Sequence, residues 1–352
     1  MHASFIRAAH LQAPSERGVV CLTCARRCEI AEGARGWCRT RENRNGRLQT
    51  LIYGAVSSLA CNPIEKKPLY HFYAGSQTLT AGSWSCNLAC PWCQNADISK
   101  RGPSGGDFVS PERFVALARQ RGCRGTSISF NEPTLSLEWS LDVFRLARGA
   151  RLYNTFITNG TMSEPALDLL VEAGLDAMNV DLKGDARAVQ RYCQIDVEKV
   201  WRTCVRSRER GVWIELTTLV VPGVNDSPRS LEEIAGRIGR DLGPDTPWHL
   251  SRYFPAYRFH AAPTPLATLE RAREIGRGAG LHYVYLGNLP GAVGEETVCP
   301  GCGSRLASRA GLTLLQCDVT PEGRCPRCGH AIAGAGWDWT ATALEPTRAE
   351  RR

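Results

Sequence analysis

Ser85-Cys86-Asn87-Leu88-Ala89-Cys90-Pro91-Trp92-Cys93-Gln94-Asn95 decides how this chain is read. It places three cysteines at C-x3-C-x2-C spacing directly after Thr78–Trp84, a stretch with the composition of a strand. Three thiolates so close together suit one face of a cuboidal iron–sulfur cluster. A four-iron cluster normally takes four cysteines. With three, one iron keeps an open position, as a catalytic metal does. The competing reading is a zinc site completed by a distant ligand, Cys61 or His71.

Outward from the triplet, strand and helix patterns alternate. The strand candidates after Thr78–Trp84 are Thr126–Phe130, Asn154–Thr158, Ala177–Leu182, Trp213–Val220, Trp248–Tyr253 and Tyr283–Leu286. Ser110-Pro111 reads as an N-cap followed by proline at the first helical position. Ser163 to Ala173 reads as a helix closed by Gly174. Ser230 and Glu233 read as a capping box, and Pro265 to Gly278 as a further helix. Such alternation implies a parallel sheet. Six or seven units fit a partial or full (β/α) barrel better than a flat sheet. In a barrel the chemistry gathers at the C-terminal strand ends. Those ends carry the triplet, Asn131-Glu132-Pro133, Thr158-Asn159-Gly160, Asp181-Leu182-Lys183 and Pro222–Asp226.

This ordered set resembles the radical S-adenosylmethionine (radical SAM) superfamily. The resemblance implies a [4Fe-4S] cluster on Cys86, Cys90 and Cys93, with S-adenosylmethionine on the open iron. Asn131, Glu132 and Pro133 resemble the second-strand motif that meets the methionyl amino group. Thr158, Asn159 and Gly160 resemble the third-strand motif near the ribose. Asp181 and Lys183 resemble the D-x-K of the pyruvate formate-lyase-activating-enzyme-like branch, where the lysine pairs with the methionyl carboxylate; a compact ammonium on a flexible stem suits that task. Trp92 is expected near the adenine. Each motif also has a plain structural reading: a turn for Asn131–Pro133, a surface ion pair for Asp181 and Lys183. One departure stands out. Activating enzymes of that branch carry an acid before T-N-G and a histidine after the sixth strand; here the places read Ile157 and Phe254.

Over roughly residues 18 to 330 the likeness narrows to the AmmeMemoRadiSam-system radical SAM enzymes. It is carried by Gly36-Trp37-Cys38-Arg39, Arg41-Glu42-Asn43, Asn62–Leu69, Tyr70-His71-Phe72, Leu216-Thr217-Thr218 and Gly287–Pro290. That family is named for its association with AMMECR-type and Memo-type proteins, which become expected partners beside a low-potential electron donor of flavodoxin or ferredoxin type. Glu65, Lys66, Lys67 and His71 read either as a polar wall facing the substrate or as a solvated turn fixed by Pro63 and Pro68.

Two outer cysteine groups remain. Cys299-Pro-Gly-Cys302 and Cys325-Pro-Arg-Cys328, each followed by glycine, read as zinc knuckles holding a small folded unit; Cys317 is a possible substitute ligand. Cys21, Cys24, Cys28 and Cys38 form a second four-thiol set. Soft thiolates select zinc or an auxiliary cluster, and arginine-rich surroundings favour zinc slightly. Cys123, Cys193 and Cys204 read as small core residues.

The resulting division is a Cys-rich N-terminal segment (1–75), a radical SAM barrel core (76–290), a zinc-ribbon-like domain (291–340) and a frayed tail (341–352). Composition agrees with a folded chain of 352 residues, 43% hydrophobic and 22% charged. Sixteen cysteines in a chain with no secretory leader or long apolar run point to metal sites in the cytoplasm rather than disulfides. The formal charge of +8 is almost all arginine, the lysines being Lys66, Lys67, Lys100, Lys183 and Lys199. The arginines form no dense block, so neither nucleic acid nor a membrane is the expected partner. The expected activity is radical generation followed by hydrogen abstraction. Two rivals remain: a glycyl-radical activase acting on a partner protein, and a non-catalytic zinc-binding scaffold or nucleic-acid module.

Overall fold

The structure, a computed structural model, describes residues 3–103, 105–291 and 294–349. Its principal sheet has eight strands: β1 (Ser58–Pro63), β2 (Gln77–Gly82), β3 (Gly125–Ile128), β4 (Tyr153–Thr158), β5 (Ala177–Asp181), β6 (Trp213–Val220), β7 (Trp248–Arg252) and β8 (Val284–Gly287). Their order in space is their order in the chain. Strands β2 to β8 run parallel, whereas β1 lies antiparallel on β2. Among the described residues β1 and β8 share no ladder, so the barrel is open along one seam. The sheet therefore begins at Ser58, inside the segment expected to stand apart.

Helices α1 (Pro111–Gln120), α2 (Leu137–Gly149), α3 (Glu164–Ala173), α4 (Val197–Glu209), α5 (Pro228–Arg237) and α6 (Leu266–Gly278) fall between successive strands of the parallel set. Ser110 caps α1 by accepting from the Arg113 amide. Ser163 caps α3 in the same way, and Gly174 closes it at φ 109°, where a side chain would be strained. The expected capping box at Ser230 and Glu233 is corrected. Ser227 caps α5, and Pro228 with its preset φ opens the helix, so Ser230 is already buried in the first turn.

Strand alternation divides the side chains. Leu79, Ala81, Ile128, Phe156, Met178 and Leu216 pack in the main core. Their neighbours Thr80, Ser127, Asn179, Glu215 and His249 take the other face, and all are buried. The barrel interior is therefore polar. Its floor is the loop between β1 and β2: the Tyr70 and His71 amides donate to the two Glu215 carboxylate oxygens at 2.9 and 2.7 Å.

Two small antiparallel sheets form the N-terminal part. A fully buried Arg41–Glu138 ion pair (2.6 Å) ties them to α2. At the other end, strands Thr297–Val298, Arg305–Ala310 and Thr313–Cys317 make a three-stranded sheet under the barrel floor. A last helix, α7 (Trp337–Ala349), replaces most of the expected frayed tail; residues 350–352 lie outside the described residues. Among the described residues, no helix is long and apolar enough to cross a membrane.

Candidate active site and metal centres

The triplet starts at a sharp corner. Ser85 takes a left-handed φ of 70°, and its hydroxyl donates to the Cys38 carbonyl at 2.6 Å. Asn131 fixes the same corner from the β3 end: its Oδ1 accepts from the Ser83 amide (2.8 Å), and its Nδ2 donates to the Trp84 and Ser85 carbonyls. Cys86, Cys90 and Cys93 then line one cavity of about 250 Å3. Trp92, Asn131, Glu132, Asn159, Asp181 and Lys183 share that wall, with Thr217 and Ser251 from β6 and β7. Sequence-distant motifs thus meet at the C-terminal strand ends. Pro133, Thr158 and Gly160 stand behind the wall.

Glu132 is the organising acid. Its Oε1 accepts from the Thr134 amide and hydroxyl and from the Thr158 hydroxyl (2.7 Å), and its Oε2 from the Asn159 amide (2.9 Å). Burial nevertheless pushes its carboxyl above the ordinary range. Gly160 is required by close approach, since a Cβ there would stand 2.8 Å from Val180 and 2.9 Å from Val200. Asn159 donates to Asn87 Oδ1 at 2.9 Å and points the same amide at Cys86 Sγ, 3.6 Å away; the Leu88 amide also reaches that sulfur.

Lys183 and Asp181 form a 3.0 Å pair at the rim. Burial works against the Lys183 ammonium, but the charges of Asp181 and Cys90 outweigh it and hold the lysine protonated. Burial also pushes the Cys86 thiol up to about 12. Cys90 goes the other way, to about 6, chiefly because Cys193 bonds to it. The Cys90 and Cys193 sulfurs lie 3.3 Å apart. Cys193 is packed in the main core, as expected for it and for Cys204, and an irregular turn, Val189–Cys193, followed by a left-handed Gln194, also sets it against Cys90. No spacing in the sequence marks it.

Neither proposed fourth ligand reaches the triplet. Cys61 sits 3.4 Å from Cys123, which is packed in the main core as expected. His71 bonds to Tyr285 and to the Ala333 carbonyl. The solvated-turn reading of Glu65, Lys67 and His71 is also excluded, since all three are buried; Lys66 alone is exposed.

Ligand spacing tests what each cysteine group fits. A tetrahedral ion with metal–sulfur bonds of about 2.3 Å sets its sulfurs about 3.8 Å apart. Among the described residues, only Cys299, Cys302, Cys325 and Cys328 form a set of three or more ligand atoms all within 4.8 Å. Cys299 and Cys328 are 3.6 Å apart, Cys302 and Cys325 3.7 Å. Both knuckles turn alike: the Gly303 and Gly329 amides reach back to the Cys299 and Cys325 carbonyls. Cys317 stays outside this set. The central triplet does not form such a set. The N-terminal four line one small space with Ile30, Trp37, Leu135, Arg26 and Arg41.

The description of the Radical SAM superfamily matches residues 85–235, from the triplet corner into α5. A Methanocaldococcus jannaschii protein, called uncharacterized protein MJ0808, is 41% identical over 319 residues, 89% of this chain and 95% of its own. The GTP 3',8-cyclase of Chlorobaculum tepidum is 27% identical over 149 residues, 40% of this chain and 44% of its own. A putative glycyl-radical enzyme activating enzyme of M. jannaschii, MJ1227, is 25% identical over 206 residues, 55% of this chain and 81% of its own. The chain belongs to the radical SAM superfamily. Membership implies an enzyme that carries a [4Fe-4S] cluster and S-adenosylmethionine. The donor set fits: three thiols, a protonated lysine and a polar wall share one cavity.

Proposed function

We propose that this radical SAM protein is the AmmeMemoRadiSam-system enzyme of its host, acting in the cytoplasm. The observation that carries the reading is the convergence of Cys86, Cys90 and Cys93 with Glu132, Asn159, Asp181 and Lys183 on one cavity. When bound, the cluster and S-adenosylmethionine would supply reductive carbon–sulfur cleavage and 5′-deoxyadenosyl radical chemistry for hydrogen abstraction. The chain's own residues bind and orient. Cys86, Cys90 and Cys93 would hold the cluster. Lys183, kept protonated by Asp181, takes the methionyl carboxylate as a point charge. Asn131, Glu132 and Pro133 present the loop that meets the amino group, while Glu132 fixes Thr158 and Asn159 near the ribose, with Gly160 allowing the close packing. Trp92, packed on Tyr192 and Phe259 with its indole nitrogen unpartnered, walls the adenine side.

The C-terminal thiols Cys299, Cys302, Cys325 and Cys328 would hold one structural zinc. The N-terminal set, Cys21, Cys24, Cys28 and Cys38, would hold zinc or an auxiliary iron–sulfur cluster. Electrons would come from a flavodoxin or ferredoxin, and AMMECR-type and Memo-type proteins are the proposed associates. The likeness to MJ1227 supports a second reading, activation of a glycyl-radical partner protein; Ile157 and Phe254 weigh against it.

Anaerobic reconstitution tests the reading. Iron, sulfide and zinc are counted, and 5′-deoxyadenosine is measured with S-adenosylmethionine and a strong reductant. The expected result is nucleoside release that Cys86→Ala abolishes. Zinc without iron, or a Cys86→Ala protein that still cleaves the cofactor, would overturn it. A partner glycyl-radical signal would select the second reading.

A further inference from the structure

An open cleft of about 820 Å3, in whose wall Arg148, Arg151, Arg208 and Arg210 are exposed and Arg124 is partly buried, is remote from the thiols. It opens beneath the opposite end of the sheet, where β3, β4, β5 and β6 begin. Five arginines line it against one carboxylate, Asp176. They come from three separated places: Arg124 just before β3, Arg148 and Arg151 at the end of α2, and Arg208 and Arg210 at the end of α4. Folding therefore gathers a positive patch that the sequence scatters.

Part of this charge is answered locally: Arg124 Nη1 donates to the Arg151 carbonyl at 3.2 Å, and the charge of Arg148 acts on Asp176. Arg210 pairs with Asp168 at 2.9 Å. Among the described residues, no carboxylate lies within 4.0 Å of a charged nitrogen of Arg124, Arg148, Arg151 or Arg208. The Asp176 carboxylate is already used, accepting from the Asn154 amide at 2.8 Å. Arg124 has a buried Nε with no acceptor at all. The helix ends account for part of the pattern, because Arg148 and Arg208 complement the negative C-terminal dipoles of α2 and α4. They do not account for Arg124 or Arg151, which lie outside the helices. Aromatic rings complete the wall: Tyr73 faces the Arg124 guanidinium at 5.5 Å, and Trp213 is only partly buried.

We propose that this cavity binds a polyphosphate, either free or as the phosphate chain of a nucleotide. Guanidinium forks match phosphate oxygens two at a time, and the volume lies in the range of small-ligand sites, about 300–1,000 Å3. The site lies away from the thiols, so it stands whether or not the proposed function does.

The test is calorimetric titration of the full-length reconstituted protein with sodium tripolyphosphate, ATP and GTP at several salt concentrations. Saturable binding is expected, about tenfold weaker in an Arg148→Ala/Arg151→Ala protein, with a shallower salt dependence. The substituted protein should keep its iron and zinc content, because neither arginine touches a thiol. Equal affinity for tripolyphosphate and the nucleotides assigns the site to polyphosphate itself; tighter binding of ATP or GTP assigns it to the nucleotide. Absence of binding up to about 1 mM, binding that the double substitution leaves unchanged, or binding of an RNA oligomer with none of the three small anions would each overturn the proposal.

Discussion

Lys67 has an unusual setting for a lysine. It is 1% exposed, its ammonium donates to Asn62 Oδ1 at 3.1 Å, and it lies 4.6 Å from the Phe130 ring centre. No carboxylate among the described residues pairs with it. Burial, and secondarily the charge of Lys66, push it down from 10.5 to about 7. Between those values the unfolded chain binds the proton and the folded one does not, so stability should rise as pH climbs from about 7 to 10.5. Lys67→Met should remove that rise and stabilise the protein at pH 7 by at most ~4 kcal/mol. Urea midpoints at pH 7 and 9.5 check this; a variant with an unchanged pH slope contradicts it. At this scale the sequence was informative where chemistry is set by spacing, as in the triplet. It could not show that Lys67 and His71 are buried, because an I-E-K-K-P run has the composition of a surface turn. Nor could it pair Cys90 with Cys193, a contact made by the fold.

Elements were the most legible level. All seven parallel strands lie within one or two residues of their expected places, because short β-branched runs bounded by glycine and polar motifs leave little freedom. The start of α5 is the instructive failure. Ser227, Pro228 and Ser230 all carry capping signals, and the proline decides among them by fixing the first helical φ. Ser227→Ala should therefore cost about 1 kcal/mol. Ser230→Ala should cost little, since its buried hydroxyl has no partner to lose. Thermal melts of the two variants discriminate, and a reversed order would restore the capping box. Strand β1 escaped notice because Ser58-Leu59-Ala60-Cys61-Asn62-Pro63 lacks β-branched residues and pairs antiparallel at an edge.

At the scale of the whole molecule, the C-terminal unit is docked by specific bonds beneath the floor. His71 Nδ1 bonds to the Ala333 carbonyl and Nε2 to the Tyr285 hydroxyl, both at 2.7 Å. Arg309 donates to the Tyr70 carbonyl at 3.0 Å and lies 4.1 Å from the centre of its ring. Burial pushes the His71 imidazole down from 6.5 to about 4, against the opposing pull of Glu215. The folded protein keeps it neutral, so its contribution is present above pH 6.5 and is lost as pH falls toward 4. The expected loss is up to ~3 kcal/mol. It should appear as faster amide exchange at Ala335 in acid, and exchange that stays flat from pH 7 to 4.5 after correction for intrinsic rates would refute it. Stripping the proposed zinc, or Cys302→Ser, should lower the melting temperature while leaving the iron of the central triplet in place. Metal analysis beside a melt reads both.

The sequential order of the strands bears on how the molecule is made. Each parallel strand can settle against one already synthesised, so the sheet can grow in the order of translation. The bonds joining His71 to Tyr285 and Ala333 cross 214 and 262 residues. Those contacts must form late, and a nascent chain leaving the ribosome would carry a nearly finished barrel whose base plate arrives last.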